Sequence, residues 1–109
     1  MSTFLNNQYD AIENLIFKEG LRIEALDFHP NQDLMLVILN TKLVLTQNLS
    51  SYNSLRKADK LQLLQYELIG NGTGVHWPSL DEDLSLKVFL ENELRKVVKT
   101  DKGSVATQS

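Results

Sequence analysis

The densest group of side chains that could carry out chemistry lies in the last third of the sequence. His76 and Trp77 are adjacent there, and three consecutive acids, Asp81, Glu82 and Asp83, follow after a short gap. A histidine with two carboxylates can bind a hard or borderline divalent metal ion, or it can form an acid–base pair. These five residues are therefore the candidate ligand-binding or partner-binding residues of the chain.

The same segment also has a purely structural interpretation. Carboxylates just before a helix accept hydrogen bonds from its free backbone N–H groups and oppose the positive end of its dipole. Asp83 and Ser85 could cap the last predicted helix in this way, and Asp59 could cap an earlier, short one. His76 would then bond to backbone or to a carboxylate, and Trp77 would cover an edge of the core. We favour this interpretation, because catalysis would need several further coincidences of geometry.

Metal binding and catalysis lack the other groups that they need. The second histidine, His29, lies in the turn of a different predicted hairpin, and the sequence has no cysteine to act as thiolate ligand, nucleophile or disulfide partner. We find no phosphate-binding loop, no His-Glu-x-x-His pair and no serine in a nucleophile elbow. The sequence therefore predicts no catalytic residue, no metal and no cofactor, and it is not expected to encode an enzyme.

Composition limits the class of partner. The chain has 109 residues and a formal net charge of −3. One domain fits this length, and the acidic balance is unfavourable for nucleic acid, which is bound largely by neutralising its phosphates. The longest strongly apolar run, Leu34–Leu39, is far shorter than the roughly 20 residues of a transmembrane helix, and the first residues do not resemble a signal peptide. We expect a cytoplasmic chain that binds neither membrane nor, on its own, nucleic acid.

Apolar periodicity predicts a helix near each end of the chain. Residues 6–18 repeat apolar side chains every three or four positions, so residues 1–20 are interpreted as an N-terminal amphipathic helix extension. A second helix begins near Ser85, carries an apolar stripe and ends near Lys99. The small and polar residues 100–109 are expected to form a flexible tail.

Between the helices, the sequence predicts five strands in an α+β domain over residues 21–99. The apolar run at residues 34–39 suggests a strand with both faces covered. The simplest topology is a three-stranded antiparallel meander over residues 21–46, followed by a hairpin with a glycine-rich turn over residues 66–77. The predicted fold is thus a small single α+β domain with a meander and a hairpin, flanked by an N-terminal and a C-terminal helix.

The segment from Gly74 to Ser85 reads Gly-Val-His-Trp-Pro-Ser-Leu-Asp-Glu-Asp-Leu-Ser. It closely resembles the signature G-[IV]-H-W-P-x-L-D-E-D-[IL]-S of a bacterial family known as domain of unknown function 2442. The segments Tyr52–Ala58 and Tyr66–Gly72 also resemble the family. Together with residues 21–46, the resemblance extends over roughly residues 21–90.

This resemblance implies a compact α+β fold and no established activity. Family members often stand alone, sometimes precede a helix-turn-helix domain, and often neighbour genes for small toxin-like proteins. By association, that implies a regulatory or antitoxin-like role. We therefore predict a non-enzymatic interaction module with a protein partner or self-association. The alternative is a small-ligand or metal-binding domain that uses the His-Trp-Pro and Asp-Glu-Asp segments.

Overall fold

Four helices and six strands make up the part of the chain that the structure describes. This computed structural model describes the backbone of residues 11–108 and the side chains of residues 11–97. The helices are α1 (residues 11–17), α2 (Asn53–Arg56), α3 (Lys60–Leu64) and α4 (Leu86–Gln108). The strands are β1 (Ile23–His29), β2 (Leu34–Leu39), β3 (Val44–Asn48), β4 (Glu67–Ile69), β5 (Gly74–Trp77) and β6 (Glu82–Ser85). The α+β class predicted from the sequence is confirmed.

The predicted meander is present as a three-stranded antiparallel sheet, sheet A, in the order β1-β2-β3. A short 3-10 turn at Pro30–Gln32 joins β1 to β2. Asp33 ends this turn in the left-handed conformation, with φ of 59°, which aspartate tolerates better than most residues. Proline therefore starts the reversal and aspartate finishes it.

The predicted hairpin is in fact a second three-stranded antiparallel sheet, sheet B, in the order β4-β5-β6. Its third strand is Glu82–Ser85, which the sequence analysis placed in a loop before the last helix. A 3-10 turn at Pro78–Leu80, ended by Asp81 with φ of 51°, reverses the chain just as the corresponding turn does in sheet A. Asp81 therefore ends the turn, and Glu82 and Asp83 lie in a strand that pairs with β5 instead of capping a helix.

The core lies between the inner faces of the two sheets and the first turns of α4. Trp77 of sheet B packs edge to face on Phe28 of sheet A, with ring centroids 6.4 Å apart. Both side chains are almost fully buried. Burial of large apolar side chains is the main favourable term in folding. The other core side chains are Ile16, Ile23, Leu26, Met35, Val37, Leu39, Leu45, Leu49, Leu55, Leu63, Val75, Leu86 and Phe89.

Both terminal segments are helical where the structure describes them. Of the predicted N-terminal extension, residues 1–10 lie outside the described residues, while α1 places Ile16 in the core. At the other end, α4 extends to Gln108, and the flexible tail expected over residues 100–109 stays a prediction. Among the described helices, none has an apolar stretch long enough to cross a lipid bilayer.

Candidate functional site

The structure brings together two of the five predicted site residues, His76 and Asp83. They face each other across β5 and β6, and Nδ1 of His76 is hydrogen-bonded to the Asp83 carboxylate. Glu67 lies opposite His76 on the other neighbouring strand, β4. The three side chains therefore form a row across the outer face of sheet B, because directly paired residues share a face.

This arrangement favours the charged form of the imidazole. The hydrogen bond to Asp83 raises the pKa of His76 above its ordinary value of 6.5, against the opposing effect of partial burial. The negative charges of Asp83, Glu67 and Asp81 add to the increase in pKa. About a third of the His76 side chain and two thirds of the Asp83 side chain are exposed, so solvent weakens the pair.

The pair predicts a specific pH dependence. Because the folded pKa of His76 is raised, its contribution to stability is fully present below about pH 6.5 and is lost as the pH rises through the folded pKa. Asp83→Asn should move the pKa of His76 back toward 6.5, which an NMR titration of the imidazole C–H resonances would measure. Asp81→Asn removes an equal charge without that hydrogen bond. If it lowers the pKa of His76 as much as Asp83→Asn does, the hydrogen bond is not the main cause.

Trp77 lies on the opposite face of sheet B from its neighbour His76. Its side chain is fully buried, and its indole Nε1–H donates to the carbonyl oxygen of Leu63 at 3.0 Å. Successive residues of a strand point to opposite faces, so Trp77 belongs to the core. It does not line a site with His76.

The remaining predicted acids are separated as well. Asp81 occupies the left-handed position that ends a turn. Glu82 pairs with Trp77 and is half-buried on that residue's face of the sheet. Within the described part of the chain, no group of three or more His, Asp or Glu side chains is placed to hold a metal ion. The five predicted residues therefore do not form one ligand site.

Two of the three predicted caps have the geometry of a helix cap, and the third does not. The Asp59 carboxylate accepts from the N–H of Gln62 at 2.9 Å, and the Gln62 side chain accepts from the N–H of Asp59 at 3.1 Å. This is a capping box at the start of α3. The Ser85 hydroxyl accepts from the N–H of Val88 at 3.2 Å at the start of α4. Asp83 caps no helix, because it lies inside β6 and bonds to His76.

The outer face of sheet A is a second candidate site, which the sequence analysis missed. The central strand β2 buries Met35, Val37 and Leu39 completely on the inner face. On the outer face it presents three more large apolar side chains, each half-buried. The strand registers arrange this face in three rows: Ala25, Ile38 and Val44; Asp27, Leu36 and Thr46; and His29, Leu34 and Asn48.

Polar groups border this apolar column on both sides. On β1, the imidazole Nε2 of His29 lies 2.9 Å from a carboxylate oxygen of Asp27. On β3, Thr46 and Asn48 are exposed. Only the row that ends at Val44, which is 44% exposed, is apolar across all three strands. The unbroken apolar run of β2 was the signal in the sequence for this apolar outer face. A strand with one solvated face usually alternates apolar and polar residues instead.

A model of a known protein family matches the part of the chain that contains both sheets. The family is described as "Protein of unknown function (DUF2442)", and the match covers residues 23–94, from the first residue of β1 into α4. The resemblance noted in the sequence is thereby confirmed. No curated protein matches the chain.

Two solved structures share the fold. One is the solution NMR structure of an uncharacterized protein from Chromobacterium violaceum, with 23% identity, a TM-score of 0.62, and coverage of 79% of this chain and 78% of that one. The other is the crystal structure of a protein of unknown function from Rhodospirillum rubrum, with 26% identity, a TM-score of 0.59, and coverage of 67% of this chain and 88% of that one. Neither description names an activity.

Proposed function

The chain belongs to the DUF2442 family of proteins of unknown function, and we propose that it is a non-enzymatic module that binds a protein partner through the outer face of sheet A. The partner that fits this face is one amphipathic helix of another protein. The half-buried apolar side chains that β2 presents on this face carry the proposal.

These side chains are unusual for the solvent face of an antiparallel sheet. Such a sheet commonly has apolar residues toward the core and polar residues toward water. Here Leu34, Leu36 and Ile38 face outward from the central strand, and Ala25 and Val44 extend the apolar surface across the sheet. A contiguous apolar surface with a polar border is typical of an interaction site.

The size of the face favours a single helix. Three strands about 4.8 Å apart, with three outward residues each at about 6.8 Å spacing, give a surface of roughly 15 Å by 20 Å once side-chain width is added. A stable interface between two globular proteins needs about 800 Å² from each partner, more than this face alone offers. A helix with a diameter of about 10–12 Å and three to four turns would cover it.

The border of the face specifies the chemistry of that helix. Its apolar stripe would lie along the column of Leu34, Leu36 and Ile38. The carboxylate of Asp27 lies on one side of this column, and the hydroxyl of Thr46 lies on the other. A helix with a basic residue on the flank that faces Asp27 would gain a charge-assisted contact, which sets its orientation more than its affinity.

Binding of this kind is compatible with a regulatory role in the cytoplasm. An antitoxin that neutralises a small toxin by covering one of its helices would act in this way. Neither the cleft between β3 and α4 nor the smaller one at the β1–β2 turn is lined by His76 or Asp83. The His76–Asp83 and His29–Asp27 pairs both lie on outer faces of the sheets.

The test has two steps. The partner is first captured with the wild-type chain, and its binding is then compared between the wild type and a variant that changes only this face. The tagged chain is crosslinked in its native host, and captured proteins and crosslinked residues are identified by mass spectrometry. We expect crosslinks from β1–β3 to a helix, and then measure binding of that helix as a synthetic peptide by calorimetry. Leu36→Lys should weaken binding by about 10- to 100-fold, because it removes roughly 1.5–3 kcal/mol of apolar burial.

Leu61→Lys is the matched control. Leu61 is an apolar residue of α3, 73% exposed and outside this face, so its replacement should leave binding unchanged. Equal loss of binding in both variants would contradict the proposal. So would a wild-type dimer in analytical ultracentrifugation that Leu36→Lys converts to monomer, because the face would then be occupied by a second copy of the chain.

A further inference from the structure

We propose that the cleft between β3 and α4 binds a small oxyanion, a carboxylate or a phosphate group, through Arg95. The cleft has a volume of about 650 Å³ and is lined by residues of β3, α4 and the turn after β3. This cleft lies beside the free edge of β3 and adjoins the outer face of sheet A, with which it shares Thr46 and Asn48.

A partly buried polar network through Tyr52 joins two residues that line the cleft, Gln47 and Asn92. Gln47 lines the cleft and is only 3% exposed, at a position where the inner face of β3 otherwise carries Leu45 and the next turn carries Leu49. The Tyr52 hydroxyl donates to Oε1 of Gln47 at 2.6 Å, and Nδ2 of Asn92 donates to the Tyr52 oxygen at 2.8 Å. Burial raises the pKa of the Tyr52 hydroxyl above its ordinary value, so at neutral pH it remains a donor. The network holds the two amides in fixed positions.

The amide nitrogen of Gln47 is poorly satisfied within the protein. Its contacts with the carbonyl oxygens of Thr46 and Phe89 are both 3.4 Å long, beyond the usual range of about 2.7–3.2 Å. A buried donor without a good acceptor costs free energy. Because Gln47 lines the cleft, a ligand oxygen that reached this amide would relieve the cost.

Two positively charged side chains line the cleft, Arg95 and Lys96, and only Lys96 is paired with a described carboxylate. Lys96 is paired with Glu93 at 2.6 Å and also donates to the carbonyl oxygen of Thr46. Arg95 also lines the cleft, and it has no hydrogen bond or ion pair with any other described residue. Glu91, one turn earlier on α4, forms no ion pair with it among the described residues. Within the described part of the chain, the guanidinium is therefore left for an outside anion.

The chemistry of these groups selects an oxyanion as ligand. A guanidinium presents paired N–H donors that match the oxygens of a carboxylate or phosphate. Ser51 adds a hydroxyl to the same wall, and Leu94 adds an apolar surface that can contact the carbon skeleton of the ligand. We therefore expect an organic acid or a phosphate monoester in preference to a cation or a neutral apolar molecule.

The experiment uses the whole chain and two simple probes. Backbone amide spectra are recorded by NMR during titration with inorganic phosphate and, separately, with acetate, at constant ionic strength. We expect saturable shifts confined to residues 46–51 and 92–96. Arg95→Gln should weaken the apparent affinity at least tenfold, because it removes the charge-assisted contact. Arg95→Lys should retain part of the affinity. A stronger response to phosphate or to acetate would identify which oxyanion the ligand carries.

Arg56→Gln is the control for loss of one positive charge. Arg56 is exposed at the end of α2 and does not line the cleft, so this variant should bind as the wild type does. An equal loss with Arg56→Gln and Arg95→Gln would mean that only overall charge matters, and the proposal would be wrong. It would also be wrong if neither anion shifts the cleft amides at tens of millimolar.

Discussion

Replacing Trp77 with alanine is expected to lower the free energy of unfolding by about 3–5 kcal/mol. The side chain is fully buried and makes an edge-to-face contact with Phe28. Its removal leaves a large cavity between the two sheets and takes away the donor to the carbonyl oxygen of Leu63. Since domains of this size have a net stability of about 5–15 kcal/mol, the loss would be a large part of the total.

Urea denaturation followed by circular dichroism would measure this change. Trp77→Phe should cost less, because it keeps most of the apolar volume and loses mainly the hydrogen bond. Ser79→Ala in the adjacent exposed turn is the control, and it should stay within about 0.5 kcal/mol of the wild type. If Trp77→Ala unfolds at the same urea concentration as the wild type, Trp77 is not a core residue and its place in a ligand site must be reconsidered.

The signature segment combines core and surface residues because part of it is a β-strand. His76 and Trp77 are neighbours in β5, and strand geometry sends one to solvent and the other into the core. The proline and aspartate of the following turn then return the chain as β6, which sets Asp83 beside His76. The segment is thus mainly a folding unit, and its surface pair follows from the strand register.

Local pattern predicted the parts of the fold that local interactions determine. Alternation identified the meander, helical periodicity identified α4, and the acid before Lys60 identified the start of α3. Strand β6 was missed because Asp81, Glu82 and Asp83 have low strand propensity and suit a helix N-terminus. The deciding feature was the left-handed conformation of Asp81 after proline. The earlier Pro30-x-x-Asp33 segment carries the same pattern and could have revealed it.

The sites were harder to predict, because they depend on tertiary contacts. The apolar run of β2 was interpreted as a strand with both faces covered, and sequence alone does not show how far each face is exposed. The hydrogen-bond network beside the cleft joins Gln47, Tyr52 and Asn92, which are up to 45 positions apart in the sequence. Gln47 was the one detectable signal, since it interrupts an inner face that is otherwise made of leucines.

Replacing Gly72 with alanine is expected to destabilise the chain by about 2–4 kcal/mol, from backbone strain and a steric clash together. Gly72 lies in the turn between β4 and β5 with φ of 89°, and a Cβ there would lie 2.9 Å from the carbonyl oxygen of Ile23 and 3.2 Å from Cβ of Arg22. This turn of sheet B is therefore in direct contact with the start of β1 in sheet A. Any side chain at position 72 would push the two sheets apart.

Gly20→Ala separates the two causes. Gly20 also has a left-handed φ, 79°, but a Cβ there would meet nothing within 4 Å. Its replacement should cost only the strain, about 1 kcal/mol, so the difference between the two variants in thermal unfolding measures the contact between the sheets. Equal losses would mean that the chain shifts easily at Ile23 and that the sheets are not held at this point. A greater loss at position 72 is the expected result, and it would show that the turn of sheet B packs closely against the start of β1 in sheet A.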